Sequence, residues 1–157
     1  MITISFSDLE WSLGFLYEVI IDPASKVGAI VATHLSLTRL LDIVGATYKF
    51  KWAVCPRAGE LEDMIRRAQR AEIERNQFVH SSYDFSDGSP KELLMRRKTG
   101  LNRKHGLRTA TTELTVADLD RFLEDLVSIV SDITEFTFWV YRTYHERRSE
   151  QDATSNH

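Results

Sequence analysis

The feature that most constrains how this chain can fold is one long apolar stripe near its C-terminus. Leu119, Phe122, Leu123, Leu126, Val130, Ile133, Phe136, Val140 and Tyr144 recur at helical spacing behind a Thr115–Asp118 start signal. The pattern predicts a helix ending at about Arg148, roughly 50 Å long at 1.5 Å per residue. Toward its end Phe136, Phe138, Trp139, Val140 and Tyr141 make it apolar nearly all round. A helix apolar on several faces is covered on several faces. The expected cover is a bundle of other helices plus a second copy of the chain, that is, a homodimer.

The remaining chain supplies the bundle. Ser7 and Glu10 form a capping-box pattern with Phe6 and Trp11 placed to staple it, and Leu9, Leu13, Leu16 and Ile20 follow on one stripe. Asp22-Pro23 reads as the end of that helix and the start of a second, with Asp22 as cap. The second helix is predicted to run to about Gly45 with Val27, Ile30, Val31, Leu37, Leu41 and Val44 inward and His34 on the same apolar face. Gly45 to Gly59 reads as a connection in which Tyr48, Phe50 and Trp52 alternate as in a short extended piece. A third helix starts after Pro56, buries Leu61, Met64, Ile65 and Ala68, and leads into Glu72–His80 before the turn-rich stretch from Asp84 to Pro90.

Two short runs flanking Thr99-Gly100-Leu101-Asn102 predict a β-hairpin over about 91–112, inserted before the last helix. The fold class expected is therefore all-α, an antiparallel four-helix bundle with a small hairpin. It forms a single domain over 1–148, and the polar residues 149–157 are expected to be a disordered tail.

Charge is distributed unevenly. Lys91, Arg96, Arg97, Lys98, Arg103, Lys104 and Arg108 face only Glu92 in the hairpin region, which carries six positive charges and leaves nine negative charges elsewhere, for a net −3. A basic finger on an acidic body suits a polyanion, and Arg96, Arg97, Lys98, Arg103 and Lys104 are candidate RNA contacts. Cys55 is the only cysteine, which excludes an intramolecular disulfide and leaves a small packing residue beside Pro56. No apolar run reaches the roughly 18 residues of a membrane span, and nothing between Met1 and Phe6 reads as a signal peptide. A cytoplasmic protein without a membrane partner is expected.

Most catalytic signatures are absent: no Gly-rich phosphate loop, no His-Glu-x-x-His, no Gly-x-Ser-x-Gly. What stands out is Arg75-Asn76-Gln77-Phe78-Val79-His80 at the end of the third helix. Asn76 and His80 are four apart on one face, so the amide can reach the imidazole and fix its tautomer. Arg75, five residues before the His, lies about 140° round the helix. Its long side chain can swing toward this His or one on a symmetry-related chain. A titratable ring and a fixed cation are the minimum set for phosphoryl transfer within RNA.

This segment resembles the signature of the HEPN superfamily, Arg-x(4–6)-His with a polar residue after the Arg. The capped first helix with Leu9-Glu10-Trp11 and the basic hairpin before a long last helix are also similar to uncharacterised bacterial HEPN-like proteins. The resemblance implies a HEPN-type bundle and a metal-independent endoribonuclease, such as a toxin or phage-defence effector, with no cofactor. Two protomers would share a cleft, where His80 handles the 2′-hydroxyl or leaving-group proton. Arg75 would stabilise charge on the phosphorus, and Asn76 would orient His80 or the phosphate. An antitoxin or other protein is the implied partner besides RNA. In the nucleotidyltransferase-paired branch a Tyr stands two residues after the His; here Ser82 holds that place and Tyr83 follows, which puts regulation through that Tyr in doubt. The alternative reading is a non-catalytic homodimeric module that binds a protein partner, RNA or a nucleotide.

Overall fold

The computed structural model describes residues 2–52, 56–84, 93–102 and 106–155. They form α1 (Ile2–Ile21), α2 (Val27–Ala32), α3 (Leu37–Lys51), α4 (Ala58–Val79), β1 (Ser82–Asp84), β2 (Leu93–Asn102), β3 (Gly106–Thr115) and α5 (Val116–Ser155). The chain is mostly helical and divides into two compact units, 1–69 with 126–157, and 70–125. Among the described residues no helix is long and apolar enough to cross a membrane. Cys55 and Arg103, Lys104 and His105 lie outside the described residues.

The regular elements described in the first unit are all helices. Helix α1 packs on α2 and α3 through a stripe of Phe6, Leu9, Leu13, Leu16, Tyr17 and Ile20, all buried. Its start corrects the sequence expectation: the helix begins at Ile2, so Ser7 lies inside it and is not its cap. Burying Phe6 extends the amphipathic stripe past the local capping signal, and tertiary burial outweighs a local preference. Trp11 makes no staple with Phe6; it is 71% exposed and stacks on Phe15 with ring centroids 5.7 Å apart.

A second correction concerns the helix expected from Pro23 to Gly45. After the turn at Asp22, where the carboxylate accepts from Ala24 N at 2.9 Å, only six residues form α2. The chain then tightens, with His34 N and Leu35 N donating three residues back to Val31 O and Ala32 O, and Thr33 Oγ1 donates to Ile30 O at 2.7 Å. Ser36 is extended (φ −69°, ψ 157°) at the N-cap of α3. This break turns Val27 (57% exposed) and Ile30 (62%) outward, and His34 is exposed rather than on an apolar face. The buried residue of α2 is Gly28, where an added Cβ would lie 2.5 Å from the Glu18 Cα. Only glycine allows α1 and α2 this approach.

A third correction follows: the stretch read as a connection with extended aromatics is the second half of α3. Tyr48 sits one turn after Val44, both fully buried, and Phe50 points to solvent at 88% exposure. Only Trp52, at the C-cap, is extended. Tyr48 packs on Trp52 and on Phe136 of α5, each at 5.6 Å between centroids, and its hydroxyl donates to the Pro56 carbonyl. Helix α4 then begins behind Arg57, the one positive-φ residue other than glycine among the described residues (φ 58°). The Arg57 guanidinium is held two-pronged by Glu60 and lies over the Phe136 and Trp139 rings at 5.5 and 5.3 Å. Its hydrogen bond with Glu60 raises its pKa further and lowers that of Glu60.

The second unit holds a three-stranded antiparallel sheet in the order β1-β2-β3. A hairpin is present, ten residue pairs long from Leu93↔Thr115 to Asn102↔Gly106. Thr99-Gly100-Leu101-Asn102, expected between its strands, instead pair within β2 because the ladder runs on to Gly106, and β1 adds a third strand that the sequence did not suggest. The predicted start of α5 also holds. Asp118 N donates to Thr115 Oγ1 at 3.1 Å, while Asp118 Oδ2 accepts from Thr115 N at 3.0 Å and from Thr115 Oγ1 at 2.7 Å. Helix α5 continues to Ser155, so residues 149–155, expected to be a disordered tail, are helical. Its 40 residues span about 60 Å at 1.5 Å per residue.

The cap carries a testable pH dependence. The Thr115 hydroxyl, followed by the Thr115 backbone N–H, holds the Asp118 carboxyl below its usual range. A depressed folded-state pKa gives stability that is present above the unfolded carboxylate pKa and lost as pH falls through the folded value. Thr115→Ala is expected to cost about 1 kcal/mol at neutral pH. Urea unfolding at pH 7 and pH 3 should show that the gap between wild type and variant narrows in acid; an unchanged gap rules out the carboxylate as its source.

Candidate functional site

The Arg75–His80 segment closes α4 inside the second unit. Glu72, Arg75, Asn76, Gln77 and Phe78 are half-buried, whereas Val79 and His80 are exposed. His80 stands one residue past the last helical residue, but its N–H still donates to Asn76 O at 3.2 Å and continues the helical pattern by one step. Ser81 then turns its hydroxyl back onto the Gln77 carbonyl. A C-terminal carbonyl is thereby satisfied, and the chain leaves as strand β1.

Arg75 and Asn76 are joined side chain to side chain, Nη1 donating to Asn76 Oδ1 at 3.1 Å. The amide oxygen therefore serves the arginine. The contact expected between Asn76 and the His80 imidazole is not formed among the described residues; the bond linking the two residues is the backbone one. Five residues of ideal helix place Arg75 and His80 about 140° apart. Half-buried Arg75 held by Asn76, beside an exposed His80 at the helix end, gives a positioned cation and an accessible titratable ring.

The sheet brings the basic hairpin to this helix end. β1 pairs antiparallel with β2 in the register Ser82↔Arg97, Tyr83↔Arg96 and Asp84↔Met95. The backbone only two residues beyond His80 thus lies alongside that of Arg97. One side-chain contact reinforces the link: the Arg96 guanidinium lies over the Phe78 ring, 5.8 Å from its centroid. Phe78 in turn packs edge-on against Phe122 of α5 at 5.1 Å. A cation over an aromatic face is held by the ring quadrupole.

Of the residues predicted from sequence, Arg75, Asn76, His80 and Arg96 are thus gathered at one end of α4, and Arg97 and Lys98 follow on the same strand. Sequence reasoning missed Phe78, the platform that seats Arg96. Its only local signal is an aromatic between two motif residues, and its partner lies 18 residues away on strand β2. Comparison of the chain with protein-family profiles, with curated proteins and with solved structures finds no match.

Proposed function

We propose that this protein is a metal-independent endoribonuclease of HEPN type that cleaves RNA by internal transesterification. The observation that carries the reading is the pairing of β1 with β2, which sets the His80 end of α4 beside the basic strand of Arg96, Arg97 and Lys98. A polyanion lying along that strand would pass an accessible imidazole and a guanidinium held by Asn76. In the reaction the 2′-oxygen bonds to phosphorus and the bond from phosphorus to the 5′-oxygen breaks. The proton leaving O2′ is balanced by one delivered to O5′, and no water is consumed. The products are a 2′,3′-cyclic phosphate and a 5′-hydroxyl. His80 moves one of these protons, and Arg75 stabilises charge on the phosphoryl oxygens.

Arg75 and His80 lie about 140° apart on an ideal helix, so the reading includes a homodimer in which the motifs of two chains complete one site. Phe138 (56% exposed), Tyr141 (42%) and Phe50 (88%) leave large apolar surface on the helical unit, which a second chain would cover. RNA is the substrate and an antitoxin protein the expected regulator. The direct experiment is to incubate the purified protein with single-stranded and structured RNAs in EDTA. Fragments ending in a cyclic phosphate support the proposal, and intact RNA throughout rejects it.

The hairpin gives an independent check. Reversing Arg96, Arg97 and Lys98 to Glu should weaken RNA binding and flatten its dependence on salt, because fewer counterions are released. Each lost phosphate contact removes about one unit from the slope of log affinity against log salt. An unchanged slope in a filter-binding titration would show that the strand does not touch the RNA backbone.

A further inference from the structure

At one end of the helical unit, α1, the C-terminus of α3 and α5 enclose a cleft of about 390 Å³, a size found among small-molecule sites, which span roughly 300–1,000 Å³. Its apolar wall is Val19, Ile20 and Val140, and its charged residues are Lys51, Arg147 and Arg148, with no carboxylate in the lining. Asp22, outside the lining, accepts from the hydroxyl of the lining Tyr144 at 3.4 Å and from Ala24 N at 2.9 Å. Three positive charges therefore meet at one opening without a counter-charge in the wall.

The arginines are placed in different ways. The Arg147 guanidinium lies over the Trp52 ring, 4.4 Å from its centroid, and Trp52 is itself buried at 6% exposure against Tyr48 and Trp139. The stack fixes the guanidinium plane and leaves its N–H donors round the edge of that plane. Among the described residues neither the Arg147 nor the Arg148 side chain forms an ion pair or hydrogen bond with the protein, while the Lys51 ammonium donates to the Ile21 carbonyl at the end of α1. An arginine ordered on an aromatic face, with its donors unspent, is preorganised for a planar oxyanion.

We infer that this cleft binds a small organic anion, with a carboxylate or phosphate head on Arg147, Arg148 and Lys51. An apolar ring or chain would lie on Val19, Ile20 and Val140. The inference stands on the helical unit alone and is independent of the ribonuclease reading.

The test is calorimetric titration of the full chain with four probes that separate head from body. Benzoate and phenyl phosphate carry both parts, inorganic phosphate the head alone, and phenol the body alone. The aryl anions should bind saturably, with dissociation constants on the order of a millimolar. Phosphate and phenol should each bind at least about tenfold more weakly, since each keeps only half of the contacts. Whichever aryl anion binds more tightly identifies the head. Arg147→Ala and Arg148→Ala should each weaken that binding, Arg147→Lys should restore it in part, and Arg121→Ala on the same helix should leave it unchanged. Both cleft arginines are exposed, and a circular dichroism melt confirms that the variants fold. Absence of saturable binding by both aryl anions overturns the inference, as does binding that survives loss of both arginines.

Discussion

Under the proposed ribonuclease reading, replacing His80 with alanine is expected to abolish RNA cleavage while leaving the fold and the proposed dimer intact. A positioned acid or base contributes about 10²–10⁴-fold to rate, so the residual activity of the variant should approach background. His80 is exposed, and its hydrogen bond to Asn76 uses only its backbone N–H. Its loss should therefore alter stability by no more than about 0.5 kcal/mol. Arg75→Ala should also silence the reaction. Arg75→Lys should recover only part of the rate, because an ammonium cannot reproduce the two-pronged contact of a planar guanidinium with phosphate. Cleavage, measured on labelled RNA in EDTA, is read beside thermal melts and sedimentation of each variant. Wild-type activity in His80→Ala would remove His80 from the chemistry. Cleavage lost together with the dimer would instead make His80 an interface residue and favour the non-catalytic module.

The largest expected effect on stability lies at Tyr48. Its ring has no exposed surface, stacks on Trp52, meets Phe136 and is tied through its hydroxyl to Pro56. Truncation to alanine removes a ring from a packed cluster and leaves a cavity, at a cost of about 3–5 kcal/mol. Against a total stability of about 5–15 kcal/mol for a typical protein, such a loss would leave much of the population unfolded on mild heating. Tyr48→Phe keeps the ring and loses one hydrogen bond, a change of about 1 kcal/mol. Urea titration of both variants distinguishes the two contributions. A Tyr48→Ala variant within 1 kcal/mol of wild type would show that the cluster is not a core.

The residues that were legible in the sequence are those whose signals are local. Thr115 and Asp118 sit three apart and cap α5 in the expected way, and Gly100 with Asn102 signals a hairpin, although both pair within β2 rather than form its turn. The apolar spacing of Leu61, Met64 and Ala68 carried α4 to its motif. What failed was decided by partners remote in sequence. Gly45 was read as a helix stop, yet it lies inside α3, where an added Cβ would come within 3.2 Å of Ile65 Cδ1; the glycine marks a close approach between helices. Tyr48, Phe50 and Trp52 alternate like a strand, but only the four-residue interval from Val44 to Tyr48 predicts burial correctly. The candidate site followed the same division. Helical spacing placed Asn76 and His80 near each other, whereas the contact of Phe78 with Arg96 depends on the register of β1 against β2. A three-residue strand is too short to be read from the sequence.

The sheet also bears on how this protein avoids association of the wrong kind. In the order β1-β2-β3 the outer side of β3 is a sheet edge, ten residues long, and an edge of that length offers a template for growth by strand addition. The sequence along it, Gly-Leu-Arg-Thr-Ala-Thr-Thr-Glu-Leu-Thr, holds four threonines with one arginine and one glutamate. Thr111, Thr112 and Glu113 are exposed, and Leu114 is buried near the helix junction. Threonine keeps the β-branched shape that favours an extended chain without the greasy face that sustains stacked sheets. Charges at Arg108 and Glu113 interrupt any apolar run, so the ribbon can stay extended with little tendency to seed aggregation.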